Sequence, residues 1–237
     1  DFNLSASNYN IVTNSFKLIN NNIYFFVSLS YNSNNNFFIA KMDLDGNPDL
    51  NFGLNGIKAI GFGLTGQNVT DLILTNDGNL LCTGISTLTS PNNRNLIVFK
   101  IDLVSGNLIS SFDPNGYKVL LSSSGTTFVD ANGLIVEYNN EYLLVSIYGP
   151  NLKLIKIDLN GNVDLSYGIN GYKSIALNNV GFIQKISLKD NKIFGNYAYT
   201  PASMATAVNL FGIDLTTDQV LFNTTTFTSL GQVGSFN

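Results

Sequence analysis

Short apolar runs recur along the whole chain, and no segment sustains the 3.6-residue period of an amphipathic helix. Phe37–Ala40 and Leu96–Phe99 are typical: each is rich in Phe, Ile, Leu or Val and directly follows an Asn. Runs of this length and composition are characteristic of β-strands. The pattern predicts an all-β chain.

An internal repeat organises these predicted strands. Four tripeptides of the form Met/Ile-Asp-Leu place their Asp residues 59, 56 and 56 positions apart, at Asp43, Asp102, Asp158 and Asp214. Self-similarity at a fixed period indicates a repeat architecture, in which a degenerate last copy is usual. The fourth copy is the degenerate one, and the repeats span approximately residues 1–60, 61–120, 121–177 and 178–237.

Each repeat is predicted to contain four short antiparallel strands, here called a, b, c and d in chain order. The turns expected between strands a and b are rich in Asn, Asp and Gly, residues that tolerate the positive φ of hairpin turns: Asn20–Asn22, Asn76–Asn79, Asn139–Glu141 and Lys189–Asn191. Four such sheets arranged radially predict a β-propeller of four blades of four antiparallel strands, forming a single domain over residues 1–237. The alternatives are a solenoid and half of a larger propeller.

The segments after the tripeptides resemble a known family. Asp43–Lys58 and Asp158–Lys173 follow the pattern D-L-x-G-N-x-D-x-x-[FY]-G-x-N-G-[IY]-K. Asp102–Lys118 matches it less closely, with one extra residue and with Phe112-Asp113 in place of the aromatic-Gly pair. This pattern resembles the delta-60 repeat of bacterial secreted and surface proteins. The resemblance implies a propeller-like fold in an exported, cell-surface or adhesin-like protein, and it implies no reaction. Because the chain opens at Asp1 without Met or a signal segment, we expect it to be processed from a longer precursor.

Composition narrows the chemistry that the chain can perform. The sequence has no His, one Cys, 12 Lys and Arg against 16 Asp and Glu, and a net charge of −4. Without His, nucleophilic triads and His-ligated zinc are excluded, and one Cys cannot form a disulfide framework. The sparse acidic charge disfavours nucleic acid, and no apolar run approaches the ~20 residues of a membrane helix. We therefore expect neither catalysis nor a cofactor.

The main alternative to a non-enzymatic protein is a propeller hydrolase or lyase, because glycoside hydrolysis needs only two carboxylates. Asp71 and Asp130 occupy corresponding positions, expected near the start of strand a in the second and third repeats, where they would line an axial channel. A second alternative concerns a metal. Asp43, Asp45 and Asp49 alternate around a Gly and resemble a calcium loop, although the Gly position differs from that of an EF-hand and no Glu closes the loop. We prefer the interpretation that these side chains cap their own turn.

Two further features are interpreted as structural. Lys41, Lys100 and Lys156 each precede a repeated Asp by two residues, which predicts a salt bridge between neighbouring blades. Cys82 lies within an apolar strand and is expected in the core.

The candidate binding residues lie in the loops between strands b and c, which differ in length and sequence among the repeats. These loops are predicted at Tyr31–Asn36, Ser86–Asn95, Tyr148–Asn151 and Tyr199–Ala205. They contain Tyr31, Arg94, Tyr148 and Tyr199, residue types suited to surface recognition on a rigid scaffold. The sequence thus suggests a binding module with a protein or glycan partner. The alternatives are an architectural spacer and a subunit of a larger assembly.

Overall fold

The computed structural model describes residues 10–31, 34–62, 65–87, 94–122, 133–148, 150–177, 181–199 and 207–228. Within these ranges the chain forms sixteen β-strands and no helix. Accordingly, these residues include no helical segment with the length and apolar character required to span a bilayer.

The strands form four antiparallel sheets, here called blades 1 to 4, and each follows the chain order from strand a to strand d. Blade 1 contains β1 (Asn10–Ile19), β2 (Asn22–Tyr31), β3 (Asn34–Asp43) and β4 (Ile57–Ile60). Blade 2 contains β5 (Thr65–Leu74), β6 (Leu80–Thr87), β7 (Arg94–Ile101) and β8 (Lys118–Ser122). Blade 3 contains β9 (Leu134–Tyr138), β10 (Glu141–Tyr148), β11 (Asn151–Ile157) and β12 (Tyr172–Ala176). Blade 4 contains β13 (Phe182–Lys189), β14 (Lys192–Tyr199), β15 (Ala207–Asp214) and β16 (Gln219–Thr228).

The predicted chemistry of the a–b turns is confirmed. In three blades the two residues between strands a and b both have positive φ, which matches the twist of the flanking strands: Asn20 and Asn21, Asn139 and Asn140, and Asp190 and Asn191. Blade 2 uses a longer turn, in which Gly78 has a φ of 78° and donates its N–H to the Thr75 carbonyl. Asn and Asp therefore fix the register of the first two strands.

The segment between strands c and d places an aromatic side chain inside the structure. Phe52 is fully buried and meets the Tyr24 ring edge-on, with the ring centroids 6.0 Å apart. The next residue, Gly53, has a φ of 60°, and a Cβ there would lie 2.1 Å from the Ile57 carbonyl oxygen. Gly168, which follows Tyr167 in blade 3, has the same conformation. These glycines are required because the chain turns tightly against its own backbone.

The fourth repeat replaces this segment with a hairpin. Thr216 and Thr217 donate their N–H groups to Asp214 Oδ1, and Asp218 has a φ of 59°. Strand d then begins at Gln219, directly after the turn. This short connection explains why the fourth repeat lacks the aromatic-Gly and Asn-Gly elements.

The chain divides into two compact units, residues 1–123 and residues 124–237, and the division falls near the boundary between the second and third repeats. In the first unit, blades 1 and 2 share a core that includes Phe26, Phe37, Ile39, Leu72 and Phe99. In the second unit, blades 3 and 4 share a core that includes Leu143, Leu154, Ile193, Tyr197 and Phe211. The single-domain organisation predicted from the sequence stays a prediction.

Candidate functional site

The four candidate binding residues occupy corresponding positions in their sheets. Tyr31, Tyr148 and Tyr199 are each the last residue of a b strand, while Arg94 is the first residue of strand c in blade 2. Arg94 pairs in register with Thr87, the last residue of strand b in that blade. These positions, together with the segments that join strands b and c, are called the b–c ends.

The predicted loop boundaries were partly wrong, because the paired strands extend further than the sequence pattern suggested. Tyr31 pairs with Asn34 and Tyr148 with Asn151, so these residues belong to the sheets. Backbone hydrogen bonding continues to the last pair regardless of whether the side chains there are polar. The segments 32–33, 88–93, 149 and 200–206 lie outside the described residues, as does the Tyr31 side chain.

Tyr148 contacts a cation rather than lying free. Lys153 Nζ lies 5.6 Å from the centroid of the Tyr148 ring and 5.3 Å from that of Tyr172. A lysine ammonium is attracted by the electron-rich faces of aromatic rings. The b–c end of blade 3 therefore combines a half-buried aromatic side chain with a positive charge.

Buried polar side chains at the b–c end of blade 2 were missed by the sequence reasoning. Ser86 and Asn95 face each other in register, and their exposed fractions are 0 % and 2 %. Neither Ser86 Oγ nor Asn95 Nδ2 has a hydrogen-bond partner among the described residues. A polar residue beside a turn is expected to be solvated, so the sequence held no signal for this burial.

Of the two carboxylates proposed for a hydrolase, the structure describes Asp71. Asp71 is the seventh residue of β5, beside an irregularity in strand pairing, and not at the strand start as expected. It is nearly buried, accepts the Leu72 N–H at 2.9 Å and lies 3.8 Å from Lys17 Nζ. Asp130 lies outside the described residues.

The calcium candidates are engaged in their own turn. Asp43 Oδ1 accepts the N–H groups of Asp45 and Asn47, and Asp43 Oδ2 accepts the Asn47 side-chain amide. These hydrogen bonds, chiefly those from Asn47, lower the pKa of Asp43. Asp49 instead pairs with Lys41, 2.6 Å away. Among the described residues, no three carboxylate or thiol groups are arranged to hold a metal ion.

The repeated lysines form ion pairs within their own blades, so the predicted salt bridge between blades was wrong. Lys41 pairs with Asp49, Lys100 with Asp77 at 2.5 Å, and Lys156 with both Glu141 and Asp164. The repeated Asp accepts turn hydrogen bonds instead, as Asp158 does from the N–H groups of Asn160 and Asn162. The lysines thus hold the a–b turns or c–d segments of their own sheets.

Burial of Lys100 makes the second of these pairs electrostatically strong. Lys100 is 4 % exposed, and Thr75 Oγ1 donates a second hydrogen bond to Asp77. Desolvation alone would raise the pKa of Asp77, but hydrogen bonds from Lys100, Thr75 and Asn79 outweigh it and lower the pKa to about 2. Asp77 is therefore held ionised, which suits a structural carboxylate and not a general acid.

Cys82 is in the core, as predicted. Its side chain is fully buried among the apolar residues shared by blades 1 and 2. Burial, with a further contribution from the charge of Asp71, raises the pKa of the thiol well above its usual value. A buried neutral thiol is a poor nucleophile.

Comparison with known proteins supports the fold and leaves the activity open. No protein-family model matches the chain, and no curated protein matches it. Among solved structures, a hypothetical protein from Leishmania major has a TM-score of 0.52 at 8 % identity, with 92 % of this chain and 68 % of that chain covered. A β-xylosidase/α-arabinofuranosidase from a compost microbial metagenome, solved in complex with xylotriose, has a TM-score of 0.50 at 8 % identity. The match covers 86 % of this chain and 74 % of that enzyme.

An α-L-arabinofuranosidase from Podospora anserina, in complex with cellotriose, has a TM-score of 0.48 at 10 % identity, with 84 % of this chain covered. The chain spans 63 % of the length of that enzyme. The compost enzyme has a β-propeller fold. At such low identity the likeness shows the fold alone. The predicted fold class, an all-β chain of four-stranded propeller blades, is confirmed.

Proposed function

We propose that the chain is a non-enzymatic binding module of an exported bacterial surface protein or assembly, which contacts a protein or a glycan through the b–c ends. The observation that supports this most directly is the repeated placement of tyrosine at the last position of strand b, in blades 1, 3 and 4. Tyrosine offers a large, rigid and amphipathic contact surface at such a strand end.

The use of the carboxylates supports the non-enzymatic part of the proposal. Retaining and inverting glycosidases both need one carboxyl group whose pKa is raised so that it can act as a general acid. Every Asp in the described residues whose pKa is shifted has a lowered value: Asp43, Asp49, Asp77, Asp102, Asp164 and Asp214. These groups hold turns and lysines in place, a structural use of charge.

The competing function is glycoside hydrolysis, which the activity of the compost enzyme suggests. The test incubates the full chain with aryl β-xylosides and aryl α-arabinofuranosides, alongside an Asp71→Asn variant. We expect no turnover above the buffer rate for either protein. Turnover by the wild-type chain that Asp71→Asn abolishes would establish a hydrolase and overturn the proposal.

The binding part is tested with strand-end variants. Tyr148→Ser and Tyr199→Ser, combined, are compared with the wild-type chain for binding to a glycan array and to the envelope fraction of the source cells. The matched control is Leu54→Ser combined with Leu165→Ser, because these two leucines are 78 % and 72 % exposed in c–d segments. We expect the tyrosine variant to lose binding by about tenfold or more and the control to retain it. Equal binding by all three proteins would contradict a role for the b–c ends.

A further inference from the structure

We propose that the free edge of β12, the outer strand of blade 3, binds an extended acidic peptide segment of a partner protein as an added β-strand. This surface is the side of the sheet and not a b–c end. The two proposals share the contact between Lys153 and Tyr148, but the edge binds through the β12 backbone, so a variant of that backbone tests it without changing a b–c residue.

The first step is the orientation of the β12 backbone. β12 ends the sheet order β12-β11-β10-β9, so one of its sides has no neighbouring strand in the described chain. Ile169 N–H donates to the Tyr172 carbonyl at 2.9 Å, and Tyr172 N–H donates back at 3.2 Å. Tyr172 therefore directs its peptide groups away from β11. Because peptide groups alternate sides along a strand, Ser174 and Ala176 direct theirs to the same free edge.

The second step is the space beside that edge. A groove of about 760 Å³ is lined by all five residues of β12, by Gly168–Asn170 and, from blade 4, by Asp218 and Val220. All of these residues belong to the second unit. The volume lies within the range of about 300–1,000 Å³ that is usual for ligand sites. An unpaired strand edge beside an open groove is the geometry that β-strand addition uses.

The third step is the charge of the groove. Lys173 is neutralised by Asp218, whose Oδ1 lies 2.6 Å from Lys173 Nζ. Lys153 also lines the groove, directly opposite Ser174 in register, and no ion pair joins it to a carboxylate of the described residues. Its ammonium lies over the faces of the Tyr148 and Tyr172 rings. The groove therefore has an excess positive charge in a chain of net charge −4, and a carboxylate complements it.

These contacts specify the pattern of the added strand. Side chains of a strand alternate between the two faces of its sheet. A Glu or Asp on the face of Lys153 would meet the ammonium. The neighbouring residue would point to the other face, where the 39 % exposed Val220 offers an apolar surface. The predicted ligand alternates acidic and apolar residues.

A peptide fits this edge better than an acidic saccharide does. Ser174 and Ala176 offer N–H donors and C=O acceptors at the regular spacing of every second residue. An extended peptide backbone has the same period and satisfies both residues at once. A uronic acid oligosaccharide could use Lys153 but has no matching row of amide donors.

The test selects short random peptides, displayed on phage, against the full chain. Ser174→Pro removes the N–H at the edge, a substitution that edge strands tolerate. The matched control is Ala59→Pro in blade 1. Ile57 exchanges backbone hydrogen bonds with Leu54 as Tyr172 does with Ile169. Ala59 follows Ile57 by two residues, so its N–H points to the outer edge as that of Ser174 does. We expect selected peptides to alternate acidic and apolar residues, to bind Ala59→Pro normally and to bind Ser174→Pro about tenfold more weakly.

A charge reversal keeps the test independent of any effect of proline on folding. Lys153→Glu is expected to lose the acidic peptides and to bind their Glu→Lys counterparts instead. The proposal is overturned if no peptide is selected, or if selected peptides bind Ser174→Pro and Lys153→Glu as they bind the wild-type chain. Binding of trigalacturonate that depends on Lys153, without any peptide binding, would also overturn it and would assign the groove to an acidic saccharide.

Discussion

Lys100 Nζ lies 2.5 Å from Asp77 Oδ2, a contact that joins β7 to the turn between β5 and β6. In blade 1 the equivalent lysine, Lys41, pairs with Asp49 of its own c–d segment. The residue of blade 2 equivalent to Asp49 is Ile109. The two are equivalent because the N–H of each donates to the carbonyl of the repeated lysine in its own blade. Blade 2 thus lacks a carboxylate at this position of its c–d segment, and Asp77 of its a–b turn pairs with the lysine instead.

This ion pair is expected to stabilise the first unit. Asp77→Ala should lower the free energy of unfolding by about 2 kcal/mol, because it leaves a buried ammonium without its carboxylate. Lys100→Met should cost less, since a methionine fills the site and the 36 % exposed Asp77 carboxylate can be hydrated. Urea unfolding followed by circular dichroism measures both changes.

The control for this prediction is an exposed ion pair. Lys192 Nζ lies 3.8 Å from Asp214 Oδ2, and its side chain is 38 % exposed. Lys192→Met should therefore change the unfolding free energy by about 0.5 kcal/mol or less. If Asp77→Ala is no more destabilising than Lys192→Met, burial of Lys100 does not strengthen the pair.

Stability is expected to fall in acid through specific carboxylates. The pKa of Asp77 is about 2, and that of Asp164 is lowered to about 2 by hydrogen bonds from Ser166 and Lys156, against an ordinary value of 3.8. A carboxylate whose pKa is lower in the folded state contributes stability above its unfolded pKa and loses it as the pH falls toward the folded pKa.

The melting temperature should accordingly decline between about pH 4 and pH 2. In Asp77→Asn the decline should be shallower, because one of the linked carboxylates is gone. Differential scanning calorimetry at several pH values in this window measures the slopes. Parallel slopes for the wild-type chain and Asp77→Asn would refute the assignment of this carboxylate.

Phe52 is expected to be among the most sensitive core positions. Phe52→Ala should cost about 3–5 kcal/mol, because the ring is fully buried and the surrounding structure fills the cavity only in part. Leu54→Ala, two residues away in the same segment and 78 % exposed, should cost about 0.5 kcal/mol or less. Urea unfolding compares the two variants. Similar losses of unfolding free energy would show that the Phe52 ring does not contribute to a packed core.

Calcium is expected to have no specific effect on stability. Asp43 and Asp49 already accept the hydrogen bonds and the lysine contact of their own segment. A ligand that binds only the folded state raises the melting temperature as its concentration passes the dissociation constant. Addition of calcium chloride to a few mM should leave the melting temperature within the change that magnesium chloride produces. A rise specific to calcium, and lost in Asp43→Asn, would establish a calcium site.

Much of the fold was predictable because local chemistry sets it. Asn20 and Asn21, for example, favour the positive φ that a two-residue hairpin needs, and the segments around them are rich in Ile, Phe and Val, as strands are. The partners of the lysines were not predictable. Lys100 and Asp77 are 23 residues apart, and only the longer turn of blade 2 brings the carboxylate to the strand. The burial of Asn95 likewise depends on packing that no local pattern encodes.

The candidate site, like the fold, was predictable only where local sequence determines it. The sequence predicted Tyr148 and Tyr199 as binding residues in the variable b–c loops, and the structure has both at the last position of strand b. It gave no indication that Lys153 lies against the Tyr148 ring, because the two residues meet through strand pairing and side-chain direction. It also gave no indication that the edge of β12 borders a groove.

Photo-crosslinking in the native assembly tests the central claim most directly. Benzoylphenylalanine, which reacts with C–H bonds of proteins and glycans alike, replaces Tyr148 or Tyr199 in one set of cells. In the control set it replaces Leu54 or Leu165, which are exposed in the c–d segments. The account predicts that positions 148 and 199 form crosslinked adducts and that positions 54 and 165 do not. Adducts formed only from positions 54 and 165 would contradict the claim that partners bind at the b–c ends.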